Sequence, residues 1–352
     1  MANHINQKIK CVVWDLDNTL WDGILLEDSN VKIKEEVIEI IKALDSRGIL
    51  QSIASKNEHK LAINKLKELD IVEYFIYPQI NWNSKSSSIE TIAKSINIGI
   101  DTLAFIDDQP FEREEVKFAH PEVLCIDAAD LSELLDMPEM NPKFITEDSK
   151  LRREMYQNDI LRNAVEETFI GTQEEFLASL NMEFTISEVE DGDLQRAEEL
   201  TVRTHQLNTT GYTYSFEELN ELRKSENHIL LISGLKDKYG TYGKIGLTLV
   251  EKEKEVWTIK LLLMSCRVMS RGVGTIMLNH IMNLAKKENV ILRAEFISTD
   301  KNRMMYVTYK FAGFNEAHVD GDYILFESDL SLIQPLPNYL TLEVNEQVKQ
   351  HI

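Results

Sequence analysis

The stretch VVWDLDNTLWDG, residues 12–23, opens with apolar residues typical of a buried strand and then changes to acidic ones. Asp15 and Asp17 follow this strand one residue apart, and Thr19 comes two positions later. An aspartate at the end of a strand is usually a turn residue or a helix cap. The function of this pair therefore depends on what the rest of the chain places beside it.

Strand-like and helix-like segments alternate from residue 10 to about residue 127. This alternation predicts an α/β domain, residues 1–130, with a parallel sheet covered by helices on both faces. Ligands bind such sheets at the carboxyl ends of the strands. The predicted strands are residues 11–14, 49–54, 75–78, 102–106 and 123–126, and the predicted helices are residues 35–44, 60–69, 86–96 and 111–119.

Four strand ends in this domain carry polar side chains with complementary chemistry. Acidic clusters offer the hard oxygen ligands that Mg²⁺ prefers, and a hydroxyl and an ammonium suit the oxygens of a phosphoryl group. A parallel sheet brings these side chains to one edge. They are Asp15 and Asp17, Ser55 in SIASKN, Lys85 in NWNSKSSS, and Asp107 and Asp108 in LAFIDDQPFERE.

DLDNT, Ser55, Lys85 and the DD pair resemble, in this order, the four motifs of the haloacid dehalogenase superfamily. The resemblance implies that Asp15 is a nucleophile that forms an aspartyl-phosphate. It implies that Asp17 is the general acid and base that serves the leaving oxygen. The phosphate-binding residues that it implies are Ser55, Lys85, Thr19 and Asn57.

The same resemblance implies a Mg²⁺ cofactor. Asp15 and the backbone carbonyl of Asp17 would hold the ion together with Asp108. The remaining ligand stays open between Asp107 and Glu112.

Members of that superfamily often carry an inserted cap domain over the active site. Here the gaps from Asp17 to Ser55 and from Ser55 to Lys85 are about 38 and 30 residues, too short for a folded cap. We therefore expect a capless domain with an open active site.

The chain changes character after about residue 130. MPEMNP holds two prolines, and the charged helical stretch LRREMYQNDILRNAVEE follows, which predicts a helical connector over residues 131–180. Strand-like stretches such as FTISEV, HILLISGL and EVWTIKLLLMSC then predict a second α/β domain over residues 181–334. Residues 335–352 are expected to form a C-terminal tail.

The stretch LLLMSCRVMSRGVGTIMLNHI joins a strand end, a glycine turn and an amphipathic helix. Backbone N–H groups at such a turn attract an anion, and the element resembles the pyrophosphate-binding element of the GNAT acyltransferases. Met269 stands where those proteins have Gln or Arg. A carrier protein's phosphopantetheine arm needs fewer anion contacts than coenzyme A. The predicted carrier- or pantetheine-binding residues are Arg267, Arg271, Gly272 and Gly274.

Cys266 lies just after the strand of this element. A cysteine near a strand end is commonly an inert core residue, but two arginines and a helix N-terminus lie close in sequence, and both features lower a thiol pKa. His205, in RTHQLNTTG, is a candidate base if the fold brings it near Cys266; otherwise it is a structural histidine.

Both domains in this order resemble the FkbH-like proteins, a phosphatase family of the haloacid dehalogenase superfamily with a GNAT-like C-terminal half. The matching pieces are VWDLDNTLW, FIDDQPFEREEV, RTHQLNTTG and SCRVMSRGVG. The resemblance implies removal of phosphate from 1,3-bisphosphoglycerate and transfer of the glyceryl group, through an enzyme thioester, to an acyl carrier protein of polyketide biosynthesis. Cys266 is the expected thioester site, and Lys260, Arg267 and Arg271 are the expected basic patch for an acidic carrier.

The composition of the 352 residues excludes several classes of protein. The formal charge of −21 repels a phosphate backbone, so nucleic acid is an unexpected partner. Three distant cysteines without a CxxC spacing predict no disulfide framework, and Cys11 and Cys125 are expected in the core. The N-terminus lacks an apolar signal region, and no apolar stretch approaches the length that spans a membrane, so a cytoplasmic location is expected.

Two other functions stay open at this stage. The chain could be a simple phosphomonoesterase whose second domain only binds or covers the substrate, or a non-catalytic module that binds a carrier protein. The motifs do not identify the acyl group, the pathway or the oligomeric state.

Overall fold

The first sheet is built around its central strand, whose two faces are both buried. The structure is a computed structural model, and it describes residues 9–345. Val12 and Trp14 point into one apolar core, and Cys11 and Val13 point into another on the opposite face. Helices cover both faces of the sheet, as the alternation in the sequence predicts, and the α/β class is confirmed.

The sheet has five parallel strands in the order β5-β4-β1-β6-β7, and a two-stranded hairpin, β2–β3, follows β1. The strands are β1 (Cys11–Trp14), β2 (Trp21–Asp22), β3 (Lys32–Ile33), β4 (Leu50–Ser55), β5 (Gln79–Ile80), β6 (Leu103–Asp107) and β7 (Leu124–Asp127). The helices are α1 (Glu35–Ser46), α2 (His59–Glu68), α3 (Lys85–Ile96), α4 (Pro110–Ala119) and α5 (Glu147–Lys150), and α6 (Arg152–Thr168) follows them.

The register of the central strands positions the candidate site. Trp14 pairs with Ile53 of β4 and with Ile106 of β6. Asp15 is the next residue along the chain, so it lies at the carboxyl edge together with the ends of β4 and β6. Between β1 and α3 the chain forms only the hairpin, α1, β4, α2, β5 and short turns, so this part of the described chain contains no cap domain, as predicted.

The described chain divides into two compact units at residues 160 and 161, inside α6. This division differs from the predicted connector over residues 131–180. Leu131, Leu134 and Met140 are buried in the core of the first unit. Phe176 and Leu180 are buried in the core of the second unit. The apolar residues of the predicted connector therefore pack into one unit or the other instead of forming a separate segment.

The second unit contains an eight-stranded sheet in the order β13-β14-β12-β11-β10-β9-β8-β15, in which β11 is parallel to β12 and β8 is parallel to β15. The strands are β8 (Met182–Glu188), β9 (His228–Asp237), β10 (Gly240–Lys252), β11 (Val256–Met264), β12 (Ile291–Ile297), β13 (Phe314–Asp320), β14 (Tyr323–Ser328) and β15 (Leu340–Asn345). The helices are α7 (Gln173–Ser179), α8 (Leu194–Arg203), α9 (Phe216–Lys224), α10 (Ile276–Glu288) and α11 (Arg303–Phe311).

Strand β15 corrects the prediction of a C-terminal tail over residues 335–352. Leu340 pairs with Met182, and Val344 pairs with Ile186, in a parallel ladder. The alternation of apolar and polar residues in LTLEVN is typical of a strand with one buried face, but its partner lies far away in sequence. The last part of the predicted tail, residues 346–352, is outside the described residues. Within residues 9–345, no helix combines the length and the apolar character that a membrane crossing requires.

Candidate active site

Asp15 and Lys85 form a buried ion pair at the carboxyl edge of the first sheet. Asp15 is 6% exposed, and its backbone N–H donates to the carbonyl of Ile106 at 2.9 Å, which extends the strand ladder to the site. Lys85 is the first residue of α3 and is 3% exposed. Its Nζ donates to the carbonyl of Ala54 at 2.7 Å and lies 3.1 Å from Oδ2 of Asp107. One ammonium therefore joins three strand ends.

Electrostatics keep this lysine charged. Burial lowers the pKa of Lys85, but the negative charges of Asp15 and Asp107 outweigh burial and raise the pKa above its ordinary value. Burial also raises the pKa of Asp15, and the contacts with Lys85 and the side chain of Ser55 oppose that rise. Ser55 ends β4 and is 4% exposed. The side chain of Ser55 therefore lies beside Asp15, as predicted.

Asp15, Asp107 and Asp108 each offer a carboxylate oxygen within 4.8 Å of the others. Burial and then the charge of Asp15 raise the pKa of Asp107 to about 6. Burial and then the charge of Asp107 raise the pKa of Asp108. Oδ1 of Asp108 is buried and has no hydrogen-bond partner among the described residues. Clustered carboxylates with an unsatisfied oxygen fit a hard divalent cation such as Mg²⁺.

Two other predicted residues support this cluster from outside it. Glu112, one of the two open choices for a metal ligand, pairs with Lys56 at 2.7 Å, and the group of three carboxylates does not include it. Thr19 is fully buried, and its hydroxyl oxygen accepts the backbone N–H of Asp108 at 3.0 Å. Thr19 was expected to bind phosphate, and that role stays a prediction. Its observed role is to hold the backbone of Asp108 beside the first motif.

The carboxylate of Asp17 lies outside the group of three and is held by hydrogen bonds. The indole N–H of Trp21 donates to Oδ1 at 2.8 Å, and the backbone N–H of Leu25 donates to the same oxygen at 3.1 Å. The side-chain amide of Asn57 donates to Oδ2 at 3.0 Å. Asn57, predicted to bind phosphate, is 1% exposed, and its oxygen accepts the backbone N–H of Glu58. The structure thus uses Asn57 to bind Asp17.

Sequence reasoning missed Trp21 as a residue of the site. It stands four positions after Asp17 in the opening stretch, and the chain between them turns through Asn18 with a positive φ of 55°. A tryptophan directly after a turn, close to a catalytic candidate, was the available signal. The interpretation of Trp21 as an ordinary core residue was equally compatible with the pattern.

In the second unit, a backbone pairing brings the segments of His205 and Cys266 together. The N–H of Met264 donates to the carbonyl of Leu207 at 2.9 Å, within an antiparallel bridge between Asn208 and Leu263. Two residues beyond this pairing, the chain reaches His205 on one side and Cys266 on the other. Both residues are exposed.

The predicted basic patch differs from the structure. Arg271 is 2% exposed and donates to a carboxylate oxygen of Glu166 at 2.9 Å. Lys260 pairs with Glu295 at 2.5 Å and lies 3.6 Å from Glu251. Both cations are paired with carboxylates. Arg271 and Lys260 therefore do not provide the positive surface that an acidic carrier protein needs. These residues lie near each other in sequence, but distant acidic residues decide their roles.

The glycine turn before α10 contains one residue in a left-handed conformation. Gly272 is exposed and has a φ of +67°, a left-handed conformation that favours glycine. Its carbonyl accepts the hydroxyl of Tyr339 at 3.1 Å. Gly274 is also exposed, and α10 begins shortly after it without a side-chain cap at Thr275. Arg267, partly buried, lies between Cys266 and this turn.

Comparisons with known proteins agree with the chemistry of the first unit. Residues 12–83 match the family of haloacid dehalogenase-like hydrolases. The human magnesium-dependent phosphatase 1 is 29% identical in an alignment of 136 residues, and the match covers 33% of this chain and 76% of that protein. These similarities support a phosphatase-like hydrolase domain at the site of Asp15. The narrower resemblance to the FkbH-like proteins stays a prediction.

Solved structures resemble each half of the chain. The N-terminal part of a Bacteroides fragilis protein, which contains a phosphatase domain complexed with Mg, is 30% identical, and the match covers 39% of this chain and 41% of that one, with a TM-score of 0.34. The chain thus spans less than half the length of that structure. The ribosomal-protein-S18-alanine N-acetyltransferase of Escherichia coli is 18% identical over 44% of this chain and 97% of its own, with a TM-score of 0.34.

Proposed function

We propose that this protein is a Mg²⁺-dependent phosphatase-type enzyme that also transfers an acyl group to an acyl carrier protein. The substrate of the proposal is an acyl phosphate, with 1,3-bisphosphoglycerate and its glyceryl group as the first case. The single observation that supports it is the buried cluster in which Lys85 joins Asp15 and Asp107 beside Asp108. A location in the cytoplasm is part of the proposal, since the three cysteines are free.

The phosphatase half of the proposal assigns one role to each side chain. The Asp15 carboxylate attacks phosphorus, and the bond from phosphorus to the leaving oxygen breaks. Asp17 gives its proton to the leaving oxygen and later takes one from the water that hydrolyses the aspartyl-phosphate. Lys85 and Ser55 bind the phosphoryl oxygens. Asp15, Asp107 and Asp108 would hold Mg²⁺, which supplies positive charge to the phosphoryl group.

The transferase half places the acyl group on Cys266. Its thiolate attacks the carbonyl carbon of the acyl phosphate, and the bond from that carbon to the phosphate oxygen breaks. The carrier's pantetheine thiol then attacks the thioester and releases the Cys266 thiol. The backbone pairing that brings the segment of His205 to that of Cys266 supports His205 as the base that receives the thiol proton.

Intact-protein mass spectrometry tests this proposal. The protein is incubated with Mg²⁺ and 1,3-bisphosphoglycerate, with and without a phosphopantetheinylated carrier protein. We expect a glyceryl mass increment on the enzyme that moves to the carrier. Cys266→Ser should lose the increment and keep its fold, and full carrier loading by this variant would remove Cys266 from the mechanism.

A simple phosphomonoesterase is the second candidate, and a specific observation favours it. The carrier-binding hypothesis requires positive charge at Arg271 and Lys260. Arg271 is paired with Glu166, and Lys260 is paired with Glu295. In this case, the protein should release phosphate from phosphate monoesters without any carrier. The same mass spectra would then show neither an acyl-enzyme nor a loaded carrier.

A further inference from the structure

Three donors fix the carboxylate of Asp17, and they divide unequally between its two oxygens. Trp21 and the backbone of Leu25 both donate to Oδ1, at 2.8 and 3.1 Å. Among residues 9–345, Asn57 alone donates to Oδ2, at 3.0 Å. A carboxylate oxygen accepts about two hydrogen bonds through its lone pairs. Oδ1 is therefore filled, and Oδ2 keeps one position open for a proton.

Trp21 is rigid enough to impose this arrangement. Its side chain is fully buried in the same apolar core as Trp14, and it lies in β2 at the base of the hairpin. The backbone N–H of Trp21 donates to the carbonyl of Leu16 at 3.2 Å, which closes the turn that carries Asp17. An indole N–H only donates. It cannot take the proton from Asp17, and it can only orient the group that holds one.

We propose that Trp21 is a positioning residue for proton transfer by Asp17, and that Oδ2 of Asp17 is the oxygen that carries the proton. This inference rests on the proposed phosphatase function and adds to it the residue that directs the general acid. Because Oδ1 accepts the indole hydrogen bond, the proton of Asp17 resides on Oδ2. The O–H bond of the general acid therefore has a fixed direction. Without the indole N–H, Leu25 and Asn57 leave one donor on each oxygen, so either oxygen can bear the proton.

The leaving group provides a readout that a merely structural role would not change. A proton from the general acid matters most when the leaving oxygen is strongly basic. The glycerol portion of glycerol 3-phosphate leaves as an alkoxide unless its oxygen is protonated, whereas the 4-nitrophenol portion of 4-nitrophenyl phosphate leaves as a stable phenolate. A loss of proton positioning should therefore slow the first substrate and spare the second. A general distortion of the site should slow both alike.

The test compares kcat/KM for these two esters in wild type and Trp21→Phe, with Mg²⁺ present. Phenylalanine keeps an aromatic ring and lacks the N–H. We expect kcat/KM for glycerol 3-phosphate to fall about tenfold or more, as the loss of a hydrogen bond to a charged group predicts. The value for 4-nitrophenyl phosphate should change less than about threefold on the same reasoning. Equal losses for both esters, or no loss for either, would overturn the inference.

Trp14→Phe is the matched control. Trp14 is also fully buried, and its indole donates to Oε1 of Gln51 at 3.2 Å, away from Asp17. This variant should lose a similar amount of thermal stability while keeping the wild-type ratio of the two kcat/KM values. A shift of that ratio in both variants would show that packing, and not the hydrogen bond, causes the effect.

A second substitution covers the case in which Trp21→Phe does not fold. Site-specific replacement of Trp21 by its benzothiophene analogue keeps the shape of the ring and removes the N–H.

The two levels of the hypothesis fail separately. If wild type hydrolyses neither ester, the proposed phosphatase function fails and the inference falls with it. If wild type is active and the replacement leaves the ratio unchanged, only the role of Trp21 is wrong.

Discussion

Lys85 and Asp15 are 70 residues apart in sequence and form an ion pair in which both side chains are more than nine-tenths buried. The same ammonium lies 3.1 Å from Asp107. Buried charges are costly unless they are paired. Lys85 therefore serves the fold as well as the proposed phosphoryl site, because it neutralises acidic side chains that the chemistry requires in one place.

Lys85→Met should destabilise the first unit strongly. The substitution leaves the carboxylates of Asp15 and Asp107 buried without a cation, and breaking a buried pair by removing one partner costs about 3–5 kcal/mol. Urea denaturation without divalent cations should show this loss in the free energy of unfolding. Added Mg²⁺ should recover part of it, since the ion brings positive charge to the same carboxylates.

Lys94→Met is the control on the same helix. Lys94 is exposed and pairs with Glu90 one helical turn away. Exposed pairs contribute little to stability, so this variant should unfold at the wild-type urea concentration. Equal destabilisation by the two substitutions would contradict the special position of Lys85.

Mg²⁺ should raise the unfolding temperature of the wild-type protein. An ion that binds only the native state stabilises it by about 2.7 kcal/mol at 100 times its Kd. Asp108→Asn should weaken this effect because it removes a charged ligand. Without the ion, the same variant should be more stable than wild type at neutral pH, since burial and then the neighbouring charge of Asp107 raise the pKa of Asp108 and disfavour its ionised form.

Asp130→Asn provides the comparison for differential scanning fluorimetry. Asp130 is exposed and is not a member of the carboxylate cluster. Its replacement should leave both the unfolding temperature and the response to Mg²⁺ at the wild-type values. An unchanged response in Asp108→Asn as well would place the ion elsewhere.

The sequence predicts the sheet edge well because strand register follows from local patterns. Buried strands with acidic or hydroxyl residues at their ends predict the neighbourhood of Asp15, Ser55 and Asp107, and parallel pairing then leaves little freedom. The role of Thr19 was not predictable in this way. Its hydroxyl binds a backbone N–H 89 residues away, and only the packed structure reveals that it is fully buried.

Arg271 illustrates the same limit for charged residues. Arg271 is close to Cys266 in sequence, and an arginine at that place is typical of an anion-binding surface. In the structure it pairs with Glu166, 105 residues earlier in the chain. Strand β15 shows the opposite case. The alternation of Leu340, Leu342 and Val344 was visible in the sequence, and only its partner strand was not. Local periodicity therefore predicts an element, whereas long-range pairing decides where it packs.

Cys266 should be the reactive thiol of the native protein. It is exposed, whereas Cys11 is fully buried. Burial raises the pKa of Cys125 to about 11 and that of Cys11 still further, so both are protonated at pH 8. The thiolate is the form that reacts. Ellman's reagent should therefore titrate one thiol per chain in native protein and three after denaturation.

Cys266→Ser should remove that native reaction, and Cys125→Ser should leave it unchanged. The count for Cys125 should rise only as the pH approaches 11, where its thiolate forms. Rapid modification of two thiols at pH 8 would contradict the burial of the other cysteines.

Gly272→Ala should destabilise the second unit, whereas Gly274→Ala should not. Gly272 has a φ of +67°, and a Cβ there would overlap the hydroxyl oxygen of Tyr339. The left-handed backbone alone costs a residue other than glycine about 1 kcal/mol, and the contact adds to this. A Cβ at Gly274 meets no atom within 4 Å. Urea denaturation of both variants measures the difference, and adding Tyr339→Phe to Gly272→Ala should restore the part of the loss that the contact causes. Equal midpoints for the two alanine variants would mean that neither the backbone nor Tyr339 restricts this turn.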